Sequence, residues 1–286
     1  MKLEKTLATD LDGTLFYPKR RIRMVPEKSV RFVHRFVNDG GRFVTISSRG
    51  EYFAKKLAER LGNPMEAVCN NGALVFSGGK CIKEAYLEPG LAEKIIADVK
   101  KECGYHVAIV STRELNSVYD PKDTTLWTDF VYAVYNRILQ GVYHEPVKRS
   151  KRIFDEQLAK NQVTKILIIV GFSKKKHERA YKFTKKLNEK YDNAEFSWVE
   201  TGIEVSPKGC TKAAGLLFYL DYNKIPRDNV LVVGDGGNDI SMFDAFPDSS
   251  YCLSHGPGRV KKHAAHVIDQ FCELEEAIYP SEEKRL

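Results

Sequence analysis

The chain reads as an α/β protein: a parallel-sheet core of Rossmann-like type carrying an inserted second α/β unit. Three observations predict this. Over the first eighty residues, short apolar runs alternate with segments of helical periodicity. Two runs far apart in sequence, ending at Thr9 and Val233, each lead into glycine and carboxylates. Open parallel sheets place their ligand sites at such strand ends. Between about residues 85 and 205 the alternation continues, but no strand there ends in an acidic cluster.

The elements follow in order. Leu3–Thr9 is the first strand, and Val30, Val33, Phe36 and Val37 mark a helix over Ser29–Asn38, stopped by Gly40-Gly41. Arg42–Ile46 is the next strand, Glu51–Leu61 a helix with Phe53, Leu57 and Leu61 as its stripe, and Ala67–Cys69 a short strand. Alternation of this kind implies right-handed crossovers. In the middle of the chain, helices over Leu91–Cys103 and His177–Tyr191 alternate with strands over His106–Ser111, Val163–Val170 and Phe196–Val199. The last third offers a helix over Ala213–Leu220, a buried strand over Val230–Val233 and a helix over Asp239–Ala245. Two short edge elements follow, Tyr251–Leu253 and Ala265–Ile268.

Chemistry concentrates at four places. In Thr9-Asp10-Leu11-Asp12-Gly13-Thr14-Leu15, residues 10 and 12 share one side of an ending strand, and Gly13 permits a sharp turn. Two carboxylates before a Gly-Thr turn suit a divalent cation and an oxyanion held side by side. Ser47-Ser48-Arg49 ends the second strand with hydroxyls that can donate to phosphate. Lys212 opens a helix and supplies positive charge, and Gly234-Asp235-Gly236-Gly237-Asn238-Asp239 adds two more carboxylates. That inventory fits phosphoryl transfer, which needs a nucleophile, a metal and donors around the equatorial oxygens.

These four segments resemble, in order, the four motifs of the haloacid dehalogenase-like (HAD) superfamily, in particular its Cof-type sugar-phosphatase branch with an inserted α/β cap. Cys69-Asn70-Asn71-Gly72-Ala73 is similar to that branch's Asn-Gly-Ala turn. Two departures stand out: Ser-Ser-Arg replaces the usual Thr-Gly-Arg, and Gly236 stands where serine is frequent. The resemblance implies a catalytic core of residues 1–84 and 206–286 and a cap of residues 85–205. The chain would cross between them near Ala85–Pro89 and Gly202–Pro207, with the two linkers as hinges and a flap over Phe16–Met24.

It implies a Mg²⁺-dependent phosphatase acting on small phosphorylated metabolites, sugar phosphates first. Asp10 is the nucleophile and Asp12 the general acid/base, its pKa raised by neighbouring negative charge. Mg²⁺ would be held by the Asp10 carboxylate, the Asp12 carbonyl and Asp235, with Asp239 near it directly or through water. Ser47 and Lys212 would hold phosphate oxygens, and Asn238 is a further candidate. Asp239 equally suits a helix cap. Lys208 fits the third motif less well than Lys212, and Arg49 suits an ion pair better than catalysis. Arg113, Tyr119, Trp127, Tyr132 and Trp198 are candidates for the cap's substrate face. Two alternatives stay open, a phosphomutase and a phosphometabolite-binding regulator without turnover.

Composition restricts the remaining classes. At 43% hydrophobic and 29% charged residues, the 286-residue chain affords a sizeable core. Its net charge of +7 is spread along helix faces rather than gathered into a basic, aromatic-interleaved stripe, so no nucleic-acid partner is expected. Six scattered cysteines form neither a disulfide framework nor a zinc signature, and seven histidines show no metal spacing. With no apolar run near ~18–20 residues and a core strand close to the first residue, the expectation is a cytoplasmic monomer or homodimer with no membrane partner.

Overall fold

In a computed structural model, which describes residues 3–18, 24–115, 117–124, 145–171, 173–199 and 202–279, the alternating pattern resolves into two sheets. The strands among these residues are β1 (Thr6–Thr9), β2 (Arg42–Ile46), β3 (Ala67–Cys69), β4 (Leu74–Ser77) and β5 (Lys80–Glu84). Then come β6 (Val107–Thr112), β7 (Ser117–Tyr119), β8 (Val147–Arg149), β9 (Val163–Ile169), β10 (Ala194–Val199) and β11 (Gly202–Pro207). The last are β12 (Val230–Gly234), β13 (Ser250–Leu253) and β14 (His266–Ile268).

The larger sheet has the order β14-β13-β12-β1-β2-β3-β4-β5. From β14 to β3 every pairing is parallel, with β1 central between β12 and β2 (Thr9 opposite Val233 and Thr45). A strand covered on both faces carries apolar residues throughout, and β12 is buried over its whole length. One face packs Leu7, Phe43, Leu231 and Val233 against the Glu27–Asn38 and Glu51–Leu61 helices and Phe271. The other packs Ala8, Val44 and Val232 against the Lys212–Tyr222 and Ile240–Ala245 helices.

A feature not expected from the sequence reading extends this sheet. Ser77-Gly78-Gly79-Lys80 closes an antiparallel hairpin of β4 and β5, with both glycines at positive φ (56° and 78°). A two-glycine turn between strand-like runs is the local signal for it.

The smaller sheet, β10-β11-β9-β6-β7-β8, is antiparallel except for β7 with β8. Its outer face carries Val110, Ile166, Ile168, Ile203 and Val205 against the Leu91–Cys103, Lys151–Ala159 and Lys174–Lys190 helices. Strand alternation then turns Lys165 and Glu204 to the face opposite those helices. The segment Gly202–Pro207, expected as a crossing linker, is a fully buried strand of this sheet. Of the expected flap, residues 19–23 lie outside the described residues, as do Trp127 and Tyr132. Among the described residues no helix is long and apolar enough to cross a membrane.

Phe271, fully buried, touches Phe32 and Phe43 with ring centroids 5.6 and 6.4 Å away. Phe271→Ala is expected to destabilise the protein by ~3–5 kcal/mol, measured as a lowered urea midpoint with an unchanged slope.

Candidate active site

The parallel register brings the ends of β1, β2 and β12 to one edge, and the four sequence segments meet there. Asp10 N–H donates to Val233 O at 2.9 Å, so the first and fourth segments are joined at the backbone. Gly13 then turns the chain with φ +92°, and a Cβ there would stand 2.4 Å from the Asp235 carboxylate. Only glycine allows this approach. Thr14 Oγ1 donates to Asp235 Oδ1 at 2.8 Å and fixes that carboxylate from the same turn.

Lys212 is the centre of the arrangement. Its ammonium, 1% exposed, donates to Asp10 Oδ1 and Asp239 Oδ1, both at 2.6 Å. Burial by itself lowers the Lys212 pKa, but the Asp10 and Asp239 carboxylates outweigh it and hold it above the ordinary lysine range. Burial lifts Asp10 well above the usual carboxylate range; Lys212 opposes this, while Asp239 and Asp235 add to it. Burial likewise raises Asp239, again against Lys212.

Asp239 uses both oxygens. While Oδ1 faces Lys212, Oδ2 accepts from the N–H groups of Asp235 and Gly236 at 2.9 and 2.8 Å. It therefore ties down the loop before it rather than capping the helix after it. Lys208, the other lysine of the segment, is exposed and lies 3.5 Å from Glu195.

The Asp12 carboxylate meets a different cation. It takes a two-pronged contact from Arg49, Nε at 2.6 Å and a second guanidinium nitrogen at 3.3 Å. A guanidinium in that position is a close charge partner for the carboxyl group. Arg49 also reaches Glu145 at 2.8 Å and lies over the Phe53 ring.

Ser47, buried at the end of β2, accepts at Oγ from Arg49 N–H (3.1 Å), which uses a lone pair and not the hydroxyl proton. Asn238 donates to Glu204 Oε2 at 3.2 Å.

Glu204 and Lys165 are not among the residues singled out in the sequence, and Asn71 is marked there only as part of the Asn-Gly-Ala turn. Glu204, 3% exposed, also accepts from Asn71 (2.9 Å) and lies 3.6 Å from Lys165 Nζ. Burial raises its pKa, but Lys165, Asn71 and Ser48 more than compensate and hold it below the ordinary value. Lys165 donates in turn to Ser48 O at 2.5 Å. A signal was present: one acid inside the apolar strand Ile203-Glu204-Val205 needs a buried partner. Of the substrate-face candidates, Arg113 pairs with Glu51 (2.8 Å) and Glu84, and Tyr119 is buried beside Val107 and Ile109. Trp198 lies against Gly237.

Ligand atoms of Asp10, Asp235 and Asp239 lie within 4.8 Å of one another. Three carboxylates cluster here and the buried ammonium pairs with two of them, an excess of negative charge that a divalent cation would balance. The donors are all oxygen, the set magnesium prefers. The residues fit such an ion.

Comparison with known proteins agrees with this architecture. The sequence profile of the family described as haloacid dehalogenase-like hydrolase matches residues 7–278. Phosphatase YwpJ of Bacillus subtilis is 24% identical over 256 residues, covering 84% of this chain and 86% of its own. A haloacid dehalogenase-like hydrolase from B. subtilis superposes with a TM-score of 0.75 at 19% identity, over 97% of this chain and 100% of that one. The HAD subclass IIB sugar phosphatase BT4131 does so with a TM-score of 0.71 at 18% identity, over 96% and 98%. At such identities the structural likenesses speak for the fold.

Removing the central cation should strand two buried carboxylates. Lys212→Met is expected to destabilise by ~3–5 kcal/mol near neutral pH. Without the ammonium, Asp10 and Asp239 keep folded-state pKa values raised above those of the unfolded chain. Their protonation therefore favours the folded state at low pH, and that support is lost as pH rises. The loss should thus be smaller at pH 5 than at pH 8, by urea unfolding at both.

Proposed function

The chain belongs to the haloacid dehalogenase-like hydrolases, and from that premise and the geometry above we propose that it is a Mg²⁺-dependent phosphatase. Its substrates on this reading are small phosphorylated metabolites, sugar phosphates first, and its place is the cytoplasm. The observation that carries the reading is the buried Lys212 ammonium bridging Asp10 and Asp239 beside Asp235. A carboxylate so organised at a strand end is equipped to attack phosphorus, and a binding module has no need of it.

Asp10, Asp235 and the Asp12 carbonyl would hold Mg²⁺, which when bound screens the repulsion between anionic nucleophile and anionic substrate. Lys212 donates to Asp10 and Asp239 and would offer its third N–H to a phosphate oxygen, joined by the Ser47 hydroxyl. Asp10 Oδ bonds to phosphorus in line as the P–O bond to the leaving group breaks, and Asp12 delivers a proton to the departing alkoxide. Water then attacks the aspartyl-phosphate, and Asp12 takes its proton. The two-pronged Arg49 contact would hold the Asp12 carboxyl group in place for both steps.

On this reading residues 85–205 are a cap over the site, and Asp239 acts behind Asp235 rather than on the metal. Two buried acceptors, Asn70 Oδ1 and Asn71 Oδ1, have no hydrogen-bond partner among the described residues. Asn71 N–H donates to Ser47 O and Asn70 N–H to Arg49 O, which sets both beside the phosphate-binding segment, where they would suit the hydroxyl groups of a sugar.

Phosphate release from a panel of phosphorylated metabolites, with Mg²⁺ and with EDTA, tests the proposal. Release should require the metal, and Asp10→Asn should reduce kcat by several orders of magnitude while circular dichroism shows the variant still folded. A panel with no turnover, or an Asp10→Asn variant that keeps most of its rate, overturns it.

A further inference from the structure

The turn that carries Asp235 is not held by the core sheet alone. Asp239 Oδ2 secures its first half, the N–H groups of Asp235 and Gly236. The second half, Gly237 and Asn238, meets the β10–β11 hairpin of the smaller sheet. In that hairpin Trp198 pairs with Ile203 and Ser197 with Glu204. Trp198 and Glu204 therefore project from opposite faces.

Each face is gripped by one of two adjacent residues. On one, the Trp198 indole lies so close to Gly237 that a Cβ there would meet the ring at 2.4 Å. On the other, Asn238 Nδ2 donates to Glu204 Oε2 at 3.2 Å. Arg259 closes the first contact from the core side. Its guanidinium stands 4.9 Å from the Trp198 ring and 4.2 Å from that of Tyr181, which meets Trp198 edge-on at 5.5 Å. Glu204 is a firm anchor, since Asn71 and Lys165 hold it in place while it is almost fully buried.

We propose that Trp198 and Glu204 are positioning residues: the seated hairpin holds the Gly236–Asp239 turn in the conformation that aims Asp235 at the metal. The inference rests on the metal-dependent reading of the site given above. Glycines 234, 236 and 237 surround Asp235 and leave its backbone with unusual freedom to lose on binding an ion. Contacts from outside the turn remove that freedom in advance. The metal site would thereby be complete only when the hairpin is docked, although Asp10 and Asp235, not Trp198 or Glu204, are the side chains that would hold the ion.

Calorimetric titration of the full chain with Mg²⁺, alongside a thermal melt of each variant, provides the test. Trp198→Ala and Glu204→Gln are expected to weaken binding about 10–100-fold, the range for residues behind metal ligands. Trp198→Phe, which keeps a flat ring on Gly237, should recover most of it. Gly237→Ala pushes the same contact from the core side with the hairpin's own side chains intact. It should lose affinity comparably, and together with Glu204→Gln it decides the matter if Trp198→Ala does not fold. Unaltered affinity in these variants, with Asp235→Asn losing it, overturns the positioning role and leaves the phosphatase reading standing. Unaltered affinity in Asp235→Asn as well overturns both.

Discussion

The buried ammonium of Lys212 is the constraint around which the larger sheet is arranged. A lysine taken out of water is stable only with complete compensation, and here two carboxylates at 2.6 Å provide it. The three groups come from the end of β1, the start of the Lys212–Tyr222 helix and the turn after β12. They coincide only if β1 and β12 pair in the observed register and the helix begins at that edge. The same contact holds two of the three clustered carboxylates. The fold thus meets part of the electrostatic cost of the site, and the remaining negative charge is what a divalent cation would balance.

A second, smaller centre lies above the first. Glu204 is a single carboxylate from β11, yet it meets the Asn70–Gly72 turn through Asn71, the turn after β12 through Asn238 and, through Lys165, the backbone after Ser47. Three loops of the larger sheet are thereby registered against one point of the smaller. Being charged and nearly dry, Glu204 tolerates little displacement, since each lost partner leaves a buried lone pair unmet. Polar contacts of this kind specify one docking geometry more sharply than an apolar face would.

Most of the architecture was legible in the sequence because the parallel strands are short, apolar and bounded by glycine or acid. Arg42–Ile46 and Glu51–Leu61 begin and end where periodicity places them. The β4–β5 hairpin was missed because Leu74–Glu84 mixes apolar, glycine and lysine residues without sustained alternation. The glycine and proline of Gly202–Pro207 suggest punctuation and hence a linker, while the burial of that strand comes from partners distant in sequence. At the site, residue types at strand ends pointed to Asp10, Lys212, Asp235 and Asp239 as neighbours. The pairing of Asp12 with Arg49 was not legible, since two residues 37 apart show no periodic relation. Nor did the sequence explain Gly236, although a Cβ there would stand 3.1 Å from Asn238 Oδ1. A side chain at that position would crowd the amide that reaches Glu204.

The hairpin that extends the larger sheet leaves β5 as its outermost strand on that side. An unprotected outer strand invites another chain to add to it by backbone pairing. Lys80, Lys83 and Glu84 place charge along this one, and Arg113, bound to Glu84 from the smaller sheet, adds bulk at its end. Any incoming strand would have to desolvate those groups to pair. The sheet's growth is thus terminated by chemistry, which protects the protein from edge-to-edge aggregation even where its backbone remains open.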